Sequence, residues 1–64
     1  MIGPIIKAAR KARRLTLAEV GYTLGVTRQY VHAWEAGRRN PGPKHLAKLA
    51  EVLGLQVTDL LPKR

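Results

Sequence analysis

Two short stretches of helical periodicity, pinched together by a glycine, constrain this 64-residue chain more than any other feature. Leu15 to Pro41 reads LTLAEVGYTLGVTRQYVHAWEAGRRNP. Thr16 followed by Glu19 has capping-box spacing. The threonine oxygen can accept from the Glu19 N–H, and the glutamate can reach back to the Thr16 N–H. Leu17, Val20, Gly21 and Leu24 recur on one helical face, which predicts a helix over Leu17–Leu24. Gly25 then stands where a helix end favours a left-handed residue. Thr27 can cap a second helix over Arg28–Ala36, with Val31 and Trp34 inward and Gly37 ending it. The stretch reads as two short helices joined by a tight turn, with arginines after the second.

The flanks are helical too. Gly3-Pro4 opens a first helix, because proline at the first helical position loses no needed N–H. Ile5, Ile6, Ala9 and Ala12 make its expected buried stripe, Lys7, Lys11 and Arg14 its solvated face, and it frays near Arg13 or Arg14. Pro41 and Pro43 hold Arg38–Gly42 extended as a loop. A fourth helix runs from Pro43 to Leu53, with Leu46, Leu49, Ala50 and Leu53 inward and Gly54 as its stop. Thr58 can cap a last short helix, Asp59–Leu61, with Asp59 near its positive end. No strand-like alternation occurs, and there are no repeats or linkers. The expected fold class is therefore all-α: one domain, residues 1–64, built as a compact bundle of five short helices.

Size and composition exclude much else. A core this small leaves roughly 3–5 kcal/mol of net stability. With no cysteine there is no disulfide or thiolate site. His32 and His45 lack zinc spacing, so no metal or cofactor is expected. No apolar run approaches the ~20 residues of a membrane span, and the N-terminal apolar patch is too short for a signal peptide. The expectation is a soluble intracellular protein. The net charge of +8 is uneven: residues 1–44 hold nine basic and two acidic residues, residues 45–64 three and two. One basic and one near-neutral part suit a polyanion on one side and protein contacts on the other. The alternative is a solvated basic surface that only aids solubility.

Leu15-Thr16, Glu19, Leu24 to Arg28, Val31, Trp34-Glu35, Gly37, Pro41, Leu46, Leu49-Ala50, Leu53 to Leu55 and Leu60-Leu61 form an ordered, gapless set. On these residues the chain resembles the Cro/phage-repressor type of helix-turn-helix, the xenobiotic-response-element family, from Ile6 to Leu61. The resemblance implies a lambda-repressor-like DNA-binding domain whose second motif helix enters the major groove. Two positions depart from the family pattern. Leu17 stands where glutamine often touches a phosphate and braces the recognition helix. Gly21 replaces the usual alanine, at a cost of roughly 0.5–1 kcal/mol in a helix interior.

With Val31 and Trp34 inward, Arg28, Gln29, His32 and Ala33 fall on the outer face of the recognition helix. Arginine suits guanine O6 and N7, glutamine suits adenine N6 and N7, and an alanine methyl can only meet that of thymine. Arg28 and Gln29, in the first turn, are the expected base readers. A phosphate contact or plain solvation is the other reading of Arg28, and solvation that of His32. Thr27 caps the helix, and the resemblance gives it a contact with a phosphate or a base as well. Tyr30 either points its hydroxyl at a phosphate or covers the core edge. Trp34 reads as core rather than a stacking surface. The resemblance pairs Glu35 with Arg10, orienting Arg10 toward a phosphate; an isolated surface glutamate is the alternative. It also lays Arg38, Arg39, Asn40 and Lys44 along the DNA backbone, where amides at a helix N-terminus are natural phosphate donors. Of the apolar C-terminal residues, Leu55 and Leu60 are expected inside. The resemblance places a two-fold dimer contact in this region, with Val57 and Leu61 at least partly offered to the partner; the alternative is that all four close the monomer's own core.

These readings converge on sequence-specific binding of double-stranded DNA by a small transcriptional regulator. It would be a repressor occupying a palindromic operator as a homodimer, weak in solution and firmer on DNA, in a bacterial or phage-type cytoplasm near the nucleoid. The rival reading is an antitoxin or protein-interaction module using the C-terminal apolar surface. An enzyme is not expected, since no nucleophile–base pair or Gly-rich phosphate loop is present.

Overall fold

A computed structural model describes residues 2–60, in which five helices and no strand form: α1 (Gly3–Ala12), α2 (Leu17–Leu24), α3 (Arg28–Glu35), α4 (Pro43–Leu53) and α5 (Val57–Leu60). The capping box at Thr16 is made in both directions: the Glu19 N–H donates to Thr16 Oγ1 at 3.0 Å, and the Thr16 N–H to Glu19 Oε1 at 2.8 Å. Thr27 Oγ1 accepts from the Tyr30 N–H at 3.2 Å and starts α3. Gly25 and Gly54 close α2 and α4 in the left-handed conformation, at φ 76° and 70°. α1 ends differently. Arg14 itself is left-handed, φ 57°, while its N–H donates to Lys11 O and that of Leu15 to Arg10 O. A side chain in that region is strained, because Cβ crowds the following carbonyl.

One apolar core joins the helices: Ile6 from α1, Val20 from α2, Val31 and Trp34 from α3, Leu49, Ala50 and Leu53 from α4, and Leu60 from α5. α3 packs on α1 and α2, and α4 on α1, α2 and α5. Two glycines set the closest approaches. A Cβ on Gly3 would lie 2.5 Å from Glu35 O, and one on Gly21 2.7 Å from Val26 O. Gly21 is therefore no mere equivalent of alanine here, since the turn sits closer to α2 than an alanine allows without a backbone shift.

Several expectations are corrected. Ile5, 39 % exposed, and Ala12 lie outside the buried stripe of α1, whose inward residues are Gly3 and Ile6 with Ala9 half-buried. α5 begins two residues earlier than expected. Thr58 does not cap it; the Gln56 N–H donates to Asp59 Oδ2 at 2.9 Å, so the acid closes the first turn. The expected end of that helix, Leu61, lies outside the described residues. No described helix is long and apolar enough to cross a membrane.

Candidate nucleic-acid interface

α3 is short, and its two faces have separate tasks. Val31 and Trp34 are buried, while Arg28, Gln29 and His32 are exposed and Ala33 is half-buried on the outer side. The 3.6-residue repeat puts these four on one surface once Trp34 is fixed inward. Two shallow hollows flank that surface. One is lined by Leu17, Arg28, Gln29, His32, Ala33 and Arg38. The other is lined by Thr27, Gln29, Tyr30, Ala33 and Arg39. Gln29 and Ala33 line both, so the adjacent arginines 38 and 39 border different hollows along the outer face of the helix. Leu17, the departure at the start of α2, packs against the core and contributes apolar surface to the first hollow.

The loop can diverge in this way because its root is held. Ala33 O accepts from the backbone N–H groups of both Arg38, at 2.9 Å, and Arg39, at 3.3 Å. Below it lies the Arg10–Glu35 pair expected from the resemblance. Arg10 Nε donates to Glu35 Oε2 at 2.6 Å and Nη2 to Oε1 at 3.1 Å, a two-pronged contact tying α1 to α3. Nη1 donates to Leu15 O at 2.8 Å. The side chains are only 11 % and 4 % exposed. The hydrogen bond to Glu35 raises the arginine pKa above its ordinary value, a shift that burial opposes and the partner's charge reinforces. Three of the five guanidinium N–H groups are thus engaged inside the protein. The pair is a lock between helices first, and any phosphate contact by Arg10 falls to the two N–H groups left.

Behind the second hollow three rings meet. Tyr30 lies 5.3 Å from Trp34 in a tilted arrangement and 6.3 Å from His45 edge-on, and Trp34 and His45 are 5.6 Å apart. Trp34 is 1 % exposed, a core residue as expected, although its Nε1 has no hydrogen-bond partner in the described structure. Tyr30 is half-buried, and its outer ring face carries the Arg39 guanidinium.

The remaining candidates are spread around this centre. Lys44 is exposed in the first turn of α4. That turn offers fewer amides than its position promised. Pro43 has no N–H, and those of His45 and Leu46 both donate to Gly42 O. Asn40 is exposed but lies in neither hollow beside α3. It edges an apolar groove formed by Ile2, Pro41, Pro43, Leu46, Ala47, Val57 and Leu60. Val57, 40 % exposed, lines that groove too, whereas Leu60 is buried and Leu55 half-buried. Leu61, the other expected dimer contact, lies outside the described residues. His45 and Leu17 were not expected at the site. The signals were there: His45 follows Lys44 in the first turn of α4, and Leu17 stands where the family's glutamine meets a phosphate.

The electrostatics follow from the pairings. Among the described residues two ion pairs form, Arg10–Glu35 and Lys48–Glu51. Neither includes Arg28, Arg38, Arg39 or Lys44. The outer side of α3 is therefore cationic, and the acid of α3 itself, Glu35, is paired with Arg10.

The sequence profile of the helix-turn-helix family matches residues 6–60. The chain is 35 % identical over 60 residues to the immunity repressor of Bacillus phage phi105, covering 94 % of this chain and 42 % of that protein. It is 34 % identical over 61 residues to an uncharacterised HTH-type transcriptional regulator of Sinorhizobium fredii, y4dJ, covering 95 % and 79 %. The chain thus spans less than half the length of the phage relative. Among solved structures, the P22 c2 repressor in complex with a synthetic operator superposes with a TM-score of 0.91 at 28 % identity, covering 95 % of this chain and 92 % of that one. SinR, a master regulator for biofilm formation solved with DNA, gives 0.85 at 35 % identity, covering 97 % and 100 %. With its profile match, its relatives and its two capped helices in agreement, the chain belongs to the helix-turn-helix family.

Proposed function

We propose that this chain binds double-stranded DNA sequence-specifically as a transcriptional regulator, laying α3 in the major groove. One observation carries the reading: Arg38 and Arg39 flank the outer helix face of Arg28, Gln29, His32 and half-buried Ala33, and among the described residues no acid pairs with any of these arginines. A helix seated in a major groove lies between two phosphate backbones, so cations on both of its sides match that target. Arg28 and Gln29 read base edges, with His32 and Ala33 beside them. Arg38, Arg39, Lys44 and the Thr27 hydroxyl meet phosphates, and Asn40 lies further along the same backbone path. The regulator acts as a repressor in a bacterial or phage-type cytoplasm. It occupies a palindromic operator as a homodimer through Val57 and Leu61, weak in solution and firmer on DNA.

Selection from random duplex DNA, followed by titration at several salt concentrations, tests this. Enrichment of a palindrome with half-sites about 10 base pairs apart is expected. The slope of log affinity against log salt should be about −0.9 per phosphate neutralised. A flat salt response with no enriched sequence defeats the proposal. The apolar groove beside Val57 favours a second reading, a protein-interaction or antitoxin module. That reading gains if a protein partner binds with the groove intact while Arg28→Ala and Gln29→Ala leave the regulated phenotype unchanged.

A further inference from the structure

Tyr30 is shared between the core and the cationic surface. Its ring touches buried Trp34 on α3 and His45 on α4, so two helices fix its plane. The Arg39 guanidinium lies over the ring, 5.3 Å from its centroid, and Nη1 approaches the Tyr30 hydroxyl at 3.5 Å. Within the DNA-binding reading above, on which this rests, we infer that Tyr30 is a positioning residue. It holds Arg39 ready for a backbone phosphate rather than touching the duplex itself.

The reasoning is entropic and electrostatic. An arginine on a loop loses much side-chain freedom when it meets a phosphate. A guanidinium already resting on an aromatic face, within ~6 Å of its centroid, has surrendered part of that freedom beforehand. Arg38 supplies the internal contrast: no ring and no side-chain hydrogen bond holds it among the described residues. The two adjacent arginines therefore act differently, Arg38 as a charge without such a rest and Arg39 as an oriented one. The hydroxyl points to the same assignment, since in the free protein it accepts from Arg39.

Phosphate contacts carry no sequence information, so a mixed-sequence duplex of about 20 base pairs at low salt is a sufficient probe. Arg39→Ala should weaken binding and reduce the salt slope by about one. Tyr30→Met, which keeps apolar bulk but removes the ring, should weaken binding about two- to fivefold. In the Arg39→Ala background the same change should do nothing further. Tyr30→Phe, which keeps the ring, should restore most of the native affinity. Equal losses from Tyr30→Met in both backgrounds overturn the inference while leaving DNA binding intact. If the unaltered protein binds no duplex, the DNA-binding reading falls and this one with it. Should Tyr30→Met not fold, NMR of the native protein decides. The Arg39 Nε–H proton should be shifted upfield by the Tyr30 ring, and an unshifted proton overturns the assignment.

Discussion

The two halves of this small molecule are held by different forces. In α1–α3 the elements are locked by directional bonds: the Arg10–Glu35 pair, Arg10 to Leu15 O, the Thr16–Glu19 box and the Thr27 cap. Gly3 and Gly21 let the backbones close to distances that a side chain would prevent. In α4–α5 the attachment is mostly apolar, through Leu49, Ala50, Leu53 and Leu60. α4 starts without a side-chain cap, and an open apolar groove runs past Val57. Hydrogen bonds fix angle and register directly, whereas the hydrophobic effect is itself non-directional. The half that must present a helix at a set orientation is the half with the directional bonds.

The harshest way to break this comparison is at the residue both halves share. Trp34 contacts the α3 and α4 rings from within the core. Trp34→Ala should cost about 3–5 kcal/mol, the whole stability expected of a domain this size, so far-ultraviolet circular dichroism should show a largely unfolded chain at 25 °C. A folded variant that had lost only nucleic-acid binding would mean the ring is a contact surface. Next in size, Glu35→Ala leaves the part-buried Arg10 without its partner and should cost roughly 1–3 kcal/mol in denaturant unfolding. A loss below about 1 kcal/mol, as for an exposed pair, would remove the directional lock from the argument.

Smaller changes sharpen the contrast. Arg14→Gly relieves the left-handed backbone at the end of α1 and should stabilise by roughly 0.5–1 kcal/mol, read as a higher melting temperature. A destabilised variant would show that the Arg14 side chain contributes contacts outweighing the strain. Smallest on folding is Val57→Lys in the apolar half. It should stay within about 0.5 kcal/mol of the native protein, as surface changes do, yet reduce cooperative binding to a palindromic duplex. Unchanged cooperativity would detach Val57 from the proposed dimer contact.

How much was legible in the sequence depends on reach along the chain. Thr16 with Glu19, Thr27 before α3 and the glycine stops after α2 and α4 act over a few residues. Those helices therefore stand where the sequence put them, within a residue. Val31 and Trp34 followed from period alone, and the outer position of Arg28, Gln29, His32 and Ala33 followed from them. The start of α5 was missed because Asp59 and Thr58 both suit a helix start, and only the backbone path decides which one bonds.

What the sequence determined by itself is an all-helical chain with a capped helix-turn-helix and a basic first part. Only the tertiary structure decided that neighbouring arginines 38 and 39 border different hollows beside α3, that three of the Arg10 N–H groups are engaged inside the protein, and that His45 joins Tyr30 behind Arg39. The physical reason is separation along the chain. A cap or a period is settled by neighbours that are always close, even before folding. A pair such as Arg10 and Glu35, 25 residues apart, forms only once helix packing has overcome the entropy of bringing its ends together.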